Sequence, residues 1–266
     1  MKENIKFEID GDICAVECDF CDALLKVSDT QNEKCSVEFP DAKNVNAGAK
    51  DGTIFISQRK RRPFTGKQSV QLCVPAHTVP NLKISAKASN LELSGGIYAD
   101  FALNAENGEI KISDCAFESL EIIGGDIDVK IINCTVKNGL YIKLDKGSIL
   151  AENSFATRCE YRIRHGNVGL FDMTAKECVA ETKKGNVTAQ MHGSEEDFNY
   201  SVYTKDGTAN RSDKQNDGAK YGVEVYSGEG NVVLEFNQPT EAPIVEETEA
   251  SSVGDEQPIA EEKETN

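Results

Sequence analysis

Leu140-Tyr-Ile-Lys-Leu-Asp-Lys-Gly147-Ser-Ile-Leu-Ala151 is answered 19 residues later by Cys159-Glu-Tyr-Arg-Ile-Arg-His-Gly166-Asn-Val-Gly-Leu170. In each, a strand with alternate apolar residues meets a glycine, and apolar residues resume at the second and fourth positions beyond it. Period-two alternation puts one face of a strand in a core and the other in solvent. Glycine marks the corner, where the chain needs backbone freedom that other residues lack.

The same unit extends outward in both directions. Corner glycines are read at Gly108, Gly125, Gly147, Gly166, Gly185, Gly207 and Gly230, with gaps of 17, 22, 19, 19, 22 and 23 residues. Before the corners lie Phe101/Leu103/Ala105, Leu140/Ile142/Leu144, Cys159/Tyr161/Ile163 and Phe198/Tyr200/Val202. After them lie Ile110/Ile112, Ile127/Val129, Val168/Leu170, Val187/Ala189 and Val232/Leu234, and a worn copy begins near Leu82 with Leu91 and Leu93. A fixed period of about 20 residues signals stacked repeats, each too small to bury its apolar face alone.

Two architectures give this pattern. Asp206-Gly207 is a good hairpin signal, so an antiparallel meander is one. The other is a β-solenoid, resembling a parallel β-helix, with equivalent residues stacked one strand spacing apart. The solenoid is preferred because residue types match from repeat to repeat. Leu120, Leu140, Cys159, Cys178 and Phe198 form one expected column, and Cys115, Cys134, Ser154, Thr174 and Ser194 form a second, always small.

The chain is thus expected to be all-β in three parts. Residues 1–75 form an N-terminal β region that starts or caps the solenoid, 76–236 the repeats, and 237–266 a disordered acidic tail. Asx-Gly turns at Asp10-Gly11 and Asp51-Gly52, with strand candidates at Ala23–Val27, Cys35–Phe39 and Val70–Pro75, support the first part. Past Phe236, Pro239, Pro243 and Pro258 sit among Glu, Thr and Ser, too polar to offset the entropy of ordering.

Of the net charge of −16, half lies in that tail. An acidic body repels phosphate backbones, which argues against nucleic-acid binding. The opening residues lack an uninterrupted apolar signal segment, and no run is long enough to span a bilayer. A cytoplasmic protein is expected, with cell-envelope association as the alternative, and a reducing compartment would keep the nine cysteines as thiols.

The layout resembles a bacterial β-strand-repeat family of unknown function whose members are often labelled "putative adhesin". The residues carrying the likeness are Val70-Gln-Leu-Cys-Val-Pro75, Leu82-Lys-Ile-Ser-Ala86, the repeated Gly-Asn/Asp/Glu-Val/Ile corners, Tyr221-Gly-Val-Glu-Val-Tyr226 and Gly230-Asn-Val-Val-Leu-Glu-Phe236. The resemblance implies a solenoid-like fold and a non-enzymatic role, and it supplies no catalytic residues.

Several constellations compete with that reading. Cys14-x3-Cys18-x2-Cys21 has the spacing of a [4Fe–4S] loop in radical S-adenosylmethionine enzymes, or of a partial zinc site. The alternating strands and helices such enzymes need are not legible, so the plain reading is a strand and turn with Cys14 and Cys18 on one face. Arg162-Ile-Arg-His165-Gly166 faintly resembles part of a pectin-degrading β-helix hydrolase, whose acid–base pair would have to come from Asp126, Asp128, Asp145 or Asp172. Arg59-Lys-Arg-Arg62 is the one basic run, suited to an anionic lipid or an acidic partner. Cys115, Cys134, Cys159 and Cys178 fit ladder packing. No residue is assigned as catalytic, cofactor-binding or metal-binding. The expected function is an adhesin-like scaffold for an unidentified protein or polymer, able to self-associate, with a carbohydrate-active or metal-binding protein as the alternative.

Overall fold

The computed structural model describes residues 5–9, 13–20, 24–39, 45–58, 69–88 and 90–237. The 237–266 tail beyond Asn237, Cys21 and the Arg59–Arg62 run lie outside the described residues.

The repeats begin with β8 (Asn81–Ala88) and β9 (Asn90–Ser94), after the N-terminal strands β1 (Ile5–Ile9), β2 (Ala15–Phe20), β3 (Leu24–Thr30), β4 (Cys35–Phe39), β5 (Val45–Lys50), β6 (Thr53–Gln58) and β7 (Ser69–Pro75). Then come β10 (Ile97–Ser113), β11 (Ala116–Ile132), β12 (Thr135–Glu152), β13 (Phe155–Lys184) and β14 (Val187–His192). The chain closes with β15 (Phe198–Asp206), β16 (Tyr221–Glu229) and β17 (Val232–Asn237). The long strands each run through a corner, so one strand supplies both arms of a rung.

Neighbouring rungs pair in parallel and in register. Leu82, Phe101, Leu120, Leu140 and Cys159 form one interior column. Ile110, Val129, Ile149, Val168, Val187 and Val232 form another on the second arm. All are at most 2% exposed, and burying a side chain of this size is worth roughly 1.5–3 kcal/mol, so the two ladders are the main source of stability. This is the β-solenoid read from the sequence.

Register corrects two details. The corner column runs Gly108, Ile127, Gly147 and Gly166, with Ile127 where Gly125 was expected. The spacing becomes 19, 20 and 19 residues, and Val129 with Ile131, rather than Ile127 with Val129, fill the ladder. A glycine is demanded at Gly166: its φ is +147°, and a Cβ there would lie 1.7 Å from the Gly147 carbonyl oxygen. Between Gly147 and Gly166 the rungs touch too closely for a side chain.

The second correction is order. β16 pairs with both β13 and β15, and β17 with β14, so the last turn of the chain slots in before the turn that precedes it in sequence. Cys178 therefore meets Val223, which meets Tyr200, and Phe198 pairs with Tyr221 instead of following Cys178 in the column. The N-terminal end repeats the exchange: β2 lies between β6 and β8, and β3 between β7 and β9. Antiparallel partners then finish that end, β5 on β6, β4 on β7 and β1 on β4. Asp51 and Gly52, at φ +51° and +73°, make the tight β5–β6 turn.

At the other end the segment between β15 and β16 lies across the last rung. Lys214 bridges antiparallel to Tyr200, and Ala209 pairs with Val232. Glu195 organises this strap. It accepts hydrogen bonds from the Tyr200 hydroxyl (2.7 Å), Arg211 (2.7 Å) and Lys214 (3.1 Å). Arg211 also donates to the Leu234 carbonyl at 2.7 Å and lies 5.2 Å over the Phe236 ring. These bonds, led by Tyr200 and Lys214, hold the Glu195 carboxyl down to a pKa of about 2.

Candidate functional site

Strand alternation in the first arm turns Leu120 and Ile122 inward and leaves Glu121 and Ile123 outside. Because rungs stack in register, outward residues also form columns. Ala102, Glu121, Tyr141 and Glu160 make one, and Asn104, Ile123, Lys143 and Arg162 run beside it. Between and around them lies a shallow trough of 1240 Å³. A 620 Å³ hollow adjoins it toward the N-terminal rungs, sharing Glu121 and Ile123 and adding Phe55 and Lys83. A third hollow shares Arg162 and Glu181 and reaches Tyr203 and Tyr226 near the C-terminal end. The outer face of the first arm is thus one channel along the stack.

Its chemistry is mixed. Arg162 pairs with Glu160 at 2.5 Å and Glu181 at 3.1 Å, and Arg164 with Asp145 at 3.0 Å. These exposed pairs add little stability, each roughly 0–1 kcal/mol, so they chiefly set the polarity of the face. Apolar surface is left open among them: Phe55, Ile123 and Tyr203 are 44%, 41% and 55% exposed. Tyr203 stacks on Tyr226 of the adjacent rung with centroids 5.5 Å apart and planes 9° from parallel. A chain lying along the axis meets aromatic faces, an apolar step and alternating charges.

The residues singled out from the sequence lie elsewhere or disperse. Cys18 faces the core, where burial pushes its thiol well above the usual value, whereas Cys14 precedes the strand and is exposed. The expectation that they share a face is overturned: Val16 and Cys18 point inward from β2, but the alternation breaks just before the strand, where Ile13 is buried and Cys14 exposed. Among the described residues no three His, Cys, Asp or Glu side chains are grouped to hold a metal ion. His165 is exposed at the first corner, in register with Lys146, which is itself in register with Asp126. Asp145 is taken by Arg164, and Asp128 accepts from Ser148 at 2.6 Å. Asp172 lies at the far corner, 3.1 Å from His192. The aspartates therefore do not converge on His165.

Cys115, Cys134, Cys159 and Cys178 are buried and unbridged. Tyr161, fully buried beside them, has a hydroxyl with no hydrogen-bond partner.

One feature escaped the sequence reading. At the second corner Asp114, Asn133, Asn153 and Asp172 all adopt φ between +45° and +56°. Asn133 donates to Asp114 at 3.0 Å and Asn153 to Asn133 at 2.8 Å, forming a side-chain ladder. Asn and Asp tolerate this left-handed conformation better than other residues with a Cβ. The signal was present as Asx before each small residue of the Cys115, Cys134, Ser154 column.

With this geometry in hand, likenesses become informative. A family model described as Toastrack DUF4097 matches residues 19–255. A crystal structure of a "putative adhesin" from Parabacteroides distasonis superposes with a TM-score of 0.53 at 12% identity, covering 87% of this chain and 97% of that one. Another from Parabacteroides merdae gives 0.52 at 16% identity, covering 89% and 96%. At such identities the likeness is one of fold. No curated protein matches the chain significantly. Among the described residues no helix is long and apolar enough to cross a membrane.

Proposed function

The chain belongs to the Toastrack DUF4097 family, and from that premise we propose that it is a non-enzymatic, adhesin-like scaffold that holds a protein or polymer partner along the outer trough. One observation carries the reading: open apolar and aromatic side chains sit on the same face as the joined hollows, from Phe55 to Tyr203. Exposed aromatic and apolar side chains gathered with charged groups along one concave face offer an interaction surface. The neighbours labelled adhesins are consistent with such a role. A rigid ladder presents these groups at fixed intervals, which limits the entropy lost on binding. A cytoplasmic position facing the envelope is part of the proposal, and cell fractionation checks it.

The test is photo-crosslinking in the native cell. A photoreactive phenylalanine analogue replaces Ile123 in the trough or, as a control, Phe171 on the outer face of the second arm. The scaffold reading expects a discrete adduct from position 123 and none from 171. Equal labelling from both, or a reproducible turnover by the purified protein, overturns it.

A further inference from the structure

Tyr203 lies on β15, the last strand of the first arm, so no further rung covers its ring. Register fixes what surrounds it. On the outer face Val179, Glu224 and Ser201 stack in one column, and Glu181, Tyr226 and Tyr203 stack in the next. Glu224 and Tyr226 sit two residues apart on one strand face, ~7 Å along the chain. Both border the 370 Å³ hollow at the C-terminal end of the trough. The register neighbours of Glu224 carry no charge, and among the described residues its carboxylate forms no ion pair. The nearby carboxylates are matched, Glu181 by Arg162 and Glu177 by Arg158. The opposite end of the chain's own strap shows what a carboxylate and an aromatic ring hold when set side by side. Arg211 donates to Glu195 while its guanidinium lies over the Phe236 ring. Lys214 shares that carboxylate, so a neighbouring lysine, as Lys205 is to Tyr203, does not keep an arginine out.

We propose that Glu224, Tyr203 and Tyr226 bind an arginine side chain carried by an extended basic partner chain that lies in the trough. The inference rests on the trough being the interaction face, and it names the partner's chemistry at one end of it. The planar guanidinium stacks on the open face of Tyr203 and donates to the Glu224 carboxylate, a pairing that a lysine ammonium matches less well. Tyr226 is stacked behind Tyr203 with its plane 9° from parallel, so the receiving ring is already held in place and little entropy is lost on binding. Long-range charge agrees. The chain carries a net charge of −16, which draws a basic partner in and repels an acidic one.

The test is a titration of the full chain, labelled with carbon-13 in its tyrosine rings, with capped triarginine, and in parallel with capped trilysine and triglutamate. Nuclear magnetic resonance follows the rings, and Tyr203→Phe and Tyr226→Phe assign the two signals. Triarginine should shift Tyr203 and Tyr226 together and saturably while Tyr221, packed against Phe198, stays still. Trilysine should bind several-fold more weakly, and triglutamate should shift neither ring. Glu224→Gln should weaken triarginine about fivefold, the upper range for one exposed charge pair. Glu235→Gln removes the same charge from the last strand of the other arm and should change binding by less than about twofold, because salt screens distant charges. The proposal is overturned if the two rings do not move, if trilysine binds as tightly, or if Glu235→Gln costs as much as Glu224→Gln. Its failure is separable from that of the scaffold reading: unmoved rings remove the arginine site alone, whereas the absence of an adduct from position 123 counts against the trough itself.

Discussion

Gly166→Ala tests the close approach of rungs at the first corner. The new methyl would sit 1.7 Å from the Gly147 carbonyl oxygen and 2.9 Å from Ile163 Cδ1, at a φ of +147°. Holding an L-residue in that conformation costs of order 1–3 kcal/mol. Pushing the Gly147 backbone out of register weakens a ladder bond worth about 1 kcal/mol more. A total of about 3 kcal/mol lowers the thermal midpoint by roughly 6–12 °C in a chain of this size. Gly139→Ala is the control: nothing lies within 4 Å of its Cβ position, so it should be neutral or stabilise by up to about 1 kcal/mol. Urea unfolding followed by circular dichroism at the strand band reads both. The reasoning is refuted if Gly166→Ala unfolds with wild type, or if Gly139→Ala costs as much.

Glu195, with its folded pKa depressed to about 2, stabilises the strap fully above the unfolded carboxyl value near 4.5 and loses that contribution as pH falls toward 2. Proteolysis within 207–220 should therefore rise between pH 4.5 and 2, and Glu195→Gln should flatten the dependence; an unchanged profile contradicts the assignment. Tyr161→Phe removes a buried hydroxyl with no partner and should raise stability by about 1 kcal/mol, whereas a loss of that size in calorimetry would show that the hydroxyl has a partner. Arg211→Ala removes the strap's Arg211 bonds to Glu195 and Leu234 while the Lys214–Glu195 and Asn210–Leu234 bonds remain, so proteolysis within 207–220 should rise severalfold at neutral pH without loss of the fold; an unchanged cleavage rate argues against Arg211 as a tether.

The repeat was legible because an interior ladder demands apolar residues at alternate positions and a corner demands glycine where rungs touch. Gly125 misled for the same reason: it sits two residues before the true corner, which Ile127 fills without needing a glycine. The exchange of turns at both ends left no local mark, since β15, β16 and β17 alternate like any other strands and only pairing reveals their order. The trough was hidden too, because Glu121, Ile123 and Tyr141 each read as ordinary outward residues until stacking lines them up. The cysteine spacing at Cys14 and Cys18 looked chemical, yet Cys18 follows strand alternation inward and Cys14, just before the strand, is exposed.

The most direct test of the stacking itself uses spin labels on the outward column that contains Lys143. Arg162 is the next rung, Glu181 is ion-paired to it, and Tyr226 and Tyr203 follow in that order. Labels at 143 and 226 should lie ~14 Å apart and labels at 143 and 203 ~19 Å, three and four strand spacings. A shorter distance to 203 than to 226, or separations that do not step by one strand spacing, would contradict a solenoid whose last turn is inserted before its predecessor.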